Sequence, residues 1–152
     1  MRVLIISGYF NPIHSGHIDY ITSAAKICDK LIVIVNNDHQ VKLKGSTPFQ
    51  SQEERQKIVS SIRGVNEAVI SIDVDGSVCQ TIRSEYYSHC DDPFFLAMAF
   101  GNGGDRKEGV VPEGVLEEEL GIRMIYNIGG EKVQSSSELI KKASITQSNE
   151  VE

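Results

Sequence analysis

The chain has 152 residues, of which 40% are hydrophobic, and it carries a formal net charge of −6 at pH 7. These values predict one domain with its own core, and an acidic chain is not expected to bind nucleic acid. The apolar stretches are too short for a membrane span or a signal peptide, so no membrane partner is expected. The three cysteines lack metal-binding spacing and indicate reduced thiols in a cytoplasmic protein.

Strand and helix patterns alternate along the chain. Continuous apolar, β-branched runs predict five strands, at residues 2–7, 31–35, 67–72, 94–100 and 123–128. Apolar residues at helical spacing predict five helices, at residues 17–27, 51–62, 77–88, 114–121 and 136–143. Short connections join these elements. We therefore predict an α/β fold, a Rossmann-like, doubly wound, mainly parallel five-stranded sheet flanked by helices.

The unusual loops of the sequence all follow predicted strands. These loops are rich in glycine or polar residues and comprise residues 8–17, 36–45, 101–106 and 129–137. In doubly wound sheets, ligands bind in the crevice outside the carboxyl ends of the strands. The sequence therefore predicts a nucleotide-sized crevice at this edge of the sheet.

The first of these loops places two histidines, His14 and His17, three residues apart in the sequence SGYFNPIHSGH. A zinc site on a helix normally spaces its two histidines about four residues apart, and Gly16 interrupts the start of the helix. The loop also lacks the G-x-G-x-x-G pattern of a dinucleotide site. Phosphate binding agrees better with the residues present, although a purely structural role for both histidines stays open.

Glycine and a helix N-terminus are suited to holding phosphate in this loop. Gly8 lets the backbone N–H groups of Tyr9 and Phe10 turn toward a ligand. Gly16 permits close approach where the first helix begins, and that end of the helix carries partial positive charge. The two histidines can then donate hydrogen bonds to phosphoryl oxygens while charge builds during transfer.

The same loop carries a resemblance to a known family. F-N-P-I-H-S-G-H, residues 10–17, resembles the H-x-G-H motif of the nucleotidyltransferase (cytidylyltransferase-like) superfamily. Residues 35–69 are similar to a segment of heptose-1-phosphate adenylyltransferases and glycerol-3-phosphate cytidylyltransferases. N-G-G-D at 102–105 resembles the G-G-D after their fourth strand, and Q-S-S-S-E-L at 134–139 resembles their serine-rich signature. The matches occur in order and cover most of the chain.

The resemblance implies a nucleotidyltransferase domain over residues 1–144, with a polar tail at 145–152. Such an enzyme, of EC 2.7.7 type, moves a nucleoside monophosphate from ATP or CTP to a sugar or polyol phosphate and releases pyrophosphate. His14, His17 and Lys44 are implied as catalytic residues, with Lys42 as a possible substitute for Lys44.

The resemblance also implies binding residues. Asp38 and Arg55 would bind the acceptor. The implied nucleotide-binding residues are Gly8, Tyr9, Phe10, Gly16, Gly104, Asp105, Ser135, Ser136 and Ser137. An exposed ion-pairing arginine, a flexible G-N-G-G-D turn and simple N-capping by the serines are the structural alternatives.

Mg²⁺ is expected to enter with the nucleotide, held by phosphate oxygens and water, because the sequence shows no dedicated carboxylate cage. The expected partners are the NTP and a phosphorylated acceptor, and the resemblance makes a homodimer possible.

Two residues depart from the family pattern. Asn11 stands where many members have Asp, and Glu138 stands where many have Lys or Arg. An NMN- or FMN-type adenylyltransferase and a non-catalytic nucleotide-binding module therefore remain alternatives.

Overall fold

The computed structural model describes residues 1–103 and 111–129. Within these residues the strands are β1 (Arg2–Gly8), β2 (Lys30–Val35), β3 (Glu67–Ile70), β4 (Ala97–Gly103) and β5 (Arg123–Ile128). The helices are α1 (Ser15–Ala25), α2 (Asp38–Leu43), α3 (Gln52–Ser60), α4 (Cys79–His89) and α5 (Val115–Leu120). A 3-10 turn, Pro112–Gly114, leads directly into α5.

The five strands form one sheet in the order β3-β2-β1-β4-β5, and every pairing is parallel. This confirms the predicted Rossmann-like, doubly wound architecture. The chain runs outward from β1 through β2 to β3, and then returns to the other side of β1 with β4 and β5. The carboxyl ends of β1 and β4 therefore flank the point where the strand order reverses, which is where such sheets bind ligands.

Helices cover both faces of the sheet and explain the continuous apolar runs of the central strands. Leu4 and Ile6 of β1 pack in a cluster with Ile21 of α1. Val3 and Ile5, which point to the opposite face, pack in a second cluster that holds residues of α4 and α5. A strand buried on both faces has no polar side to alternate with, so its sequence is apolar throughout.

Several element boundaries differ from the sequence prediction. β3 ends at Ile70, and Ile72 is exposed. β4 begins at Ala97, because Phe94 and Leu96 lie exposed beside a turn that follows α4.

The short helix α2 was not predicted; Asn37 caps it through a hydrogen bond from the Gln40 N–H. The predicted helix at 136–143 and the tail at 145–152 lie outside the described residues. In the part of the chain that is described, no helix is long and apolar enough to cross a membrane.

Candidate active site

Two cavities adjoin each other at the carboxyl edge of the sheet. The larger, about 460 Å³, lies at the ends of β1, β4 and β5 and is called the switch-point cavity. The smaller, about 210 Å³, lies between the β1–α1 loop and the end of α2 and is called the loop cavity. His14 and His17 line both cavities. The two histidines therefore lie where a ligand in one cavity would meet a ligand in the other.

The N-terminus of α1 holds both histidine rings. His14 is the N-cap residue, and its Nδ1 accepts a hydrogen bond from the Gly16 N–H at 3.1 Å. The Nδ1 of His17 accepts in turn from the His14 N–H, also at 3.1 Å. This is a reciprocal capping box built from two imidazoles, so each ring satisfies a backbone donor that the helix leaves unpaired.

These hydrogen bonds determine which atoms the rings offer to a ligand. A neutral imidazole that accepts through Nδ1 carries its proton on Nε2, so the free edge of each ring is an N–H donor. Burial, followed by the neighbouring His14, lowers the pKa of His17, which keeps that ring neutral near pH 7. Two N–H donors side by side suit phosphoryl oxygens that gain negative charge.

Two glycines make this arrangement sterically possible. A Cβ on Gly16 would lie 3.0 Å from Cε1 of His14, so a larger residue would crowd the ring that caps the helix. A Cβ on Gly8 would lie 2.6 Å from Cζ of Phe10. The Phe10 ring is buried beneath the loop, and it meets His17 edge-on with 5.1 Å between the ring centroids. Phe10 therefore supports the β1–α1 loop through its side chain.

Lys44 and Tyr9 lie together at the loop cavity, which both residues line. The Lys44 ammonium nitrogen stands 3.9 Å from the centroid of the Tyr9 ring, within the range of a cation–π contact. Lys44 is exposed and ends α2 as its C-cap. The structure thus brings the predicted lysine to the histidines' side of the cleft with its charge open to the cavity.

Asn11 connects the β1–α1 loop to the segment that follows Lys44. Its Nδ2 donates to the Thr47 carbonyl at 3.0 Å, and its Oδ1 accepts from the Phe49 N–H at 2.7 Å. A carboxamide can make both bonds at once, whereas an ionised Asp could only accept. Asn at position 11, where many family members have Asp, therefore has a structural reason in this chain.

Arg55 lies on a helix, as predicted, but its side chain is buried among protein groups. Its side chain is 0% exposed, and the guanidinium donates to the carbonyls of Tyr9, Asn36 and Gln50. It also forms an ion pair with Asp38, with 2.7 Å between Nη2 and Oδ1. The expected direct contact of Arg55 with an acceptor is replaced by internal hydrogen bonds. The structural alternative, an exposed arginine in an ion pair, is also wrong, because the Arg55 side chain is buried.

Asp38 is the acidic partner in this ion pair. It is the first residue of α2, its carboxylate accepts from Arg55, and its N–H donates to Oε1 of Gln52 at 2.8 Å. Neither Asp38 nor Arg55 lines the two cavities. Together they fix the ends of β1 and β2 and the start of α3 beneath the loop cavity.

Tyr20 and Glu113 line the switch-point cavity but were not predicted as site residues, and Asn102 of the N-G-G-D motif lines it although no role was predicted for it. The Tyr20 hydroxyl donates to the Gly101 carbonyl at 3.2 Å, which connects α1 to β4. Asn102 connects β4 to β5 through the Ile125 carbonyl. Glu113 is a carboxylate that follows Pro112 in the 3-10 turn, and no motif marks it in the sequence.

Five predicted nucleotide-binding residues lie outside the described residues: Gly104, Asp105, Ser135, Ser136 and Ser137. Glu138, the second departure from the family pattern, lies there too.

The described residues of the cleft offer few ligands for a magnesium ion. Mg²⁺ in nucleotide sites keeps several waters and takes few carboxylates together with substrate phosphates. Among the described residues that line the two cavities, Glu113 is the one carboxylate. This donor set agrees with an ion that arrives on a triphosphate rather than one held in a protein cage.

A second group of potential metal ligands lies at the opposite edge of the sheet. Possible ligand atoms of Glu67, Glu85 and His89 fall within 4.8 Å of one another. The Lys30 ammonium, however, stands 2.9 Å from Nε2 of His89 and 3.7 Å from the Glu67 carboxylate. A cation from the protein itself therefore already balances this group.

Comparison with known proteins identifies relatives of the chain. The family described as cytidylyltransferase-like matches residues 5–102. An FAD synthase of Pyrococcus horikoshii is 38% identical over 68 residues, which are 44% of this chain and 46% of that protein. The bifunctional protein HldE of Citrobacter koseri is 38% identical over 76 residues, which are 49% of this chain and 16% of that protein. These matches span about half or less of either relative's length.

Solved structures share the fold. A lipopolysaccharide core biosynthesis protein from Thermoplasma volcanium aligns with a TM-score of 0.63 at 20% identity, over 84% of this chain and 96% of that one. A bifunctional NMN adenylyltransferase/ADP ribose pyrophosphatase from Francisella tularensis, solved with AMP and a manganese ion, aligns with a TM-score of 0.53 at 15% identity. That alignment covers 99% of this chain and 43% of the other.

Proposed function

The chain belongs to the cytidylyltransferase-like family, and we propose that it transfers a nucleoside monophosphate from ATP or CTP to a phosphorylated sugar or polyol, releasing pyrophosphate. The position of His14 and His17 between the two cavities is the observation that carries this proposal. The nucleotide takes the larger, switch-point cavity, and the acceptor takes the loop cavity. The α phosphate then lies between them, against the Nε2 edges of the two histidines.

The chemistry requires alignment and charge neutralisation rather than a general base. An acceptor phosphate is already anionic at neutral pH, so it can attack the α phosphorus without losing a proton to the enzyme. The protein's task is to place the two groups in line and to stabilise the charge that spreads over the equatorial oxygens. His14 and His17 donate hydrogen bonds to those oxygens, and Lys44 neutralises the acceptor phosphate from the loop cavity.

Mg²⁺ accompanies the nucleotide and neutralises charge on the triphosphate when bound. Gly104 and Asp105 would line the base and ribose pocket, and Ser135, Ser136 and Ser137 would bind the β and γ phosphates. Asp38 and Arg55 act in this proposal as positioning residues, because their ion pair supports the loops from below.

The size of the loop cavity favours a small acceptor. At about 210 Å³ it suits a phosphorylated polyol or sugar better than a flavin mononucleotide. Transfer of AMP to a mononucleotide is nevertheless a second candidate function, since FAD synthases are among the relatives.

The test is pyrophosphate release by the purified chain with Mg²⁺, each of the four NTPs and a panel of acceptors. The panel holds glycerol 3-phosphate, phosphocholine, phosphoethanolamine, heptose 1-phosphate, NMN and flavin mononucleotide. Release that depends on ATP or CTP together with a sugar or polyol phosphate supports the proposal, and release with a mononucleotide supports the second candidate. A chain that binds an NTP but releases no pyrophosphate with any acceptor of the panel would favour a non-catalytic binding module.

A further inference from the structure

One carboxylate occupies a buried position in the switch-point cavity. Glu113 is 4% exposed and lines this cavity together with Phe100 and Gly101 of β4. It bonds the start of α4, whose residues pack on one face of the sheet, whereas the two histidines begin α1, whose residues pack on the other face. The cavity therefore contains N–H donors from one side and a carboxylate from the other.

One oxygen of Glu113 is fixed by the protein. Its Oε2 accepts a hydrogen bond from the Val78 N–H at 2.9 Å, at the N-cap position of α4. The following N–H groups have other partners: Cys79 donates to the Ser77 hydroxyl, and Gln80 and Thr81 donate to the Asp73 carboxylate. The start of α4 therefore uses Oε2 of Glu113 as an acceptor, and it has no N–H group that bonds the second oxygen.

That second oxygen, Oε1, is buried and has no hydrogen-bond partner among the described residues. Buried carboxylate oxygens are nearly always hydrogen-bonded, because an unpaired one loses its hydration without compensation. Because Glu113 also lines a ligand cavity, its unpaired oxygen is the acceptor there for which a ligand can supply the missing donor.

We propose that Glu113 is a specificity-determining residue whose Oε1 accepts a hydrogen bond from a hydroxyl or amino group of a bound substrate. This inference rests on the proposed function, because it concerns the same cleft. A carboxylate oxygen pairs with such donors and repels a phosphate group. Glu113 thus directs the uncharged, donor-bearing end of a substrate to its side of the cavity and leaves the phosphates to His14 and His17.

Glu113→Gln is the matched test. Its amide oxygen can still accept from the Val78 N–H, while its NH₂ group replaces the Oε1 acceptor with a donor. Glu119→Gln is the control, because Glu119 connects α5 to α4 through Arg83 without lining the cavity. Calorimetry measures the affinity for ATP, CTP and their deoxyribose analogues, and steady-state kinetics measures the KM for the acceptor.

The expected result is a loss of roughly tenfold or more in affinity for one substrate with Glu113→Gln, and no change with Glu119→Gln. Because the nucleotide takes the switch-point cavity in the proposed function, the loss should appear in the calorimetry with the nucleotide. A change confined to the KM of the acceptor substrate would instead place that substrate against Glu113. An analogue that lacks the recognised hydroxyl or amine should bind the wild-type protein and Glu113→Gln equally well. A merely structural role would lower stability without this selectivity.

Unchanged affinities and KM values in a folded Glu113→Gln variant would overturn the inference and leave the proposed function standing. Absence of pyrophosphate release by the wild-type chain, with a nucleotide affinity that still depends on Glu113, would overturn the proposed function and leave the inference standing. A wild-type chain that binds none of these ligands would overturn both.

Discussion

The rings of His14 and His17 stack with 3.8 Å between their centroids, and each accepts a backbone N–H through Nδ1. The same two side chains therefore cap α1 with one nitrogen and face the cleft with the other. This division explains why the loop contains histidines, since common capping residues such as Ser or Asn would complete the helix without offering an imidazole N–H donor.

Substitution can separate the two tasks of His14. His14→Asn keeps a good N-cap residue but removes the Nε2 donor, so we expect kcat/KM to fall by about 10²- to 10⁴-fold with little change in stability. His14→Ala should lose the same activity and about 1 kcal/mol of unfolding free energy as well. Pyrophosphate release and urea unfolding measure the two effects. A His14→Asn protein with wild-type turnover would contradict the assignment.

His17→Gln applies the same separation to the second ring. Glutamine at this helix position can accept the His14 N–H in an ordinary capping box, so the fold should be retained. Because the imidazole donor is gone, turnover should fall by about two orders of magnitude or more. Circular dichroism serves as the control for folding, and His17→Ala should be at least as inactive.

The lowered pKa of His17 predicts a dependence of stability on pH. In the unfolded chain a histidine titrates near about 6.5, whereas burial and His14 keep His17 neutral to lower pH in the folded protein. The unfolded state therefore binds more protons between the folded-state pKa and about pH 6.5, so the unfolding free energy should decrease as the pH falls below about 6.5 and should level off below the folded-state pKa. Urea unfolding from pH 7.5 to 5 should show this decrease, and His17→Gln should reduce its slope.

Arg55 should affect stability more than substrate binding. Arg55→Lys keeps the charge but cannot reproduce the bonds from one guanidinium to three carbonyls and Asp38, so we expect a loss of about 2 kcal/mol of unfolding free energy. Arg63→Lys, at an exposed position, is the control. An unchanged unfolding free energy with a raised acceptor KM would instead support the direct acceptor contact that the resemblance implies.

Asn11→Asp should disturb the loop cavity alone. An ionised Asp keeps the bond from the Phe49 N–H but cannot donate to the Thr47 carbonyl, which loosens the segment after Lys44. We expect a several-fold higher KM for the acceptor, little change in the KM for the nucleotide, and a stability loss of about 1 kcal/mol or less. A change confined to the nucleotide KM would show that the loop cavity does not hold the acceptor.

The sequence was most informative where burial alone determines structure. β1 and β2 are apolar on both faces, and their runs predicted both strands and a covered parallel sheet. Phe94 and Leu96 misled the prediction of β4, because aromatic and aliphatic residues favour strands wherever they occur. Here they lie exposed beside a turn. The helix α2 has only six residues, too few to show an apolar period, although Asn37 and Gln40 have capping-box spacing.

Site residues could be predicted from local chemistry but not from tertiary contacts. The spacing of His14, Gly16 and His17 could be interpreted from the sequence because all three belong to one helix terminus. The burial of Arg55 depends on carbonyls supplied by distant parts of the chain, and the free oxygen of Glu113 depends on the packing of α4. Neither relationship has a signature in the linear sequence.

The most direct test of the central claim follows the α phosphate itself. The wild-type chain and His17→Gln would be incubated with Mg²⁺, an acceptor phosphate, and ATP or CTP carrying an isotopic label in the α phosphate. The account predicts that the wild-type protein moves the label into a nucleotide–acceptor product, with pyrophosphate released in equal amount, and that His17→Gln is strongly impaired. Label that remains in free nucleotide, or transfer that is equally fast without the His17 imidazole, would contradict it.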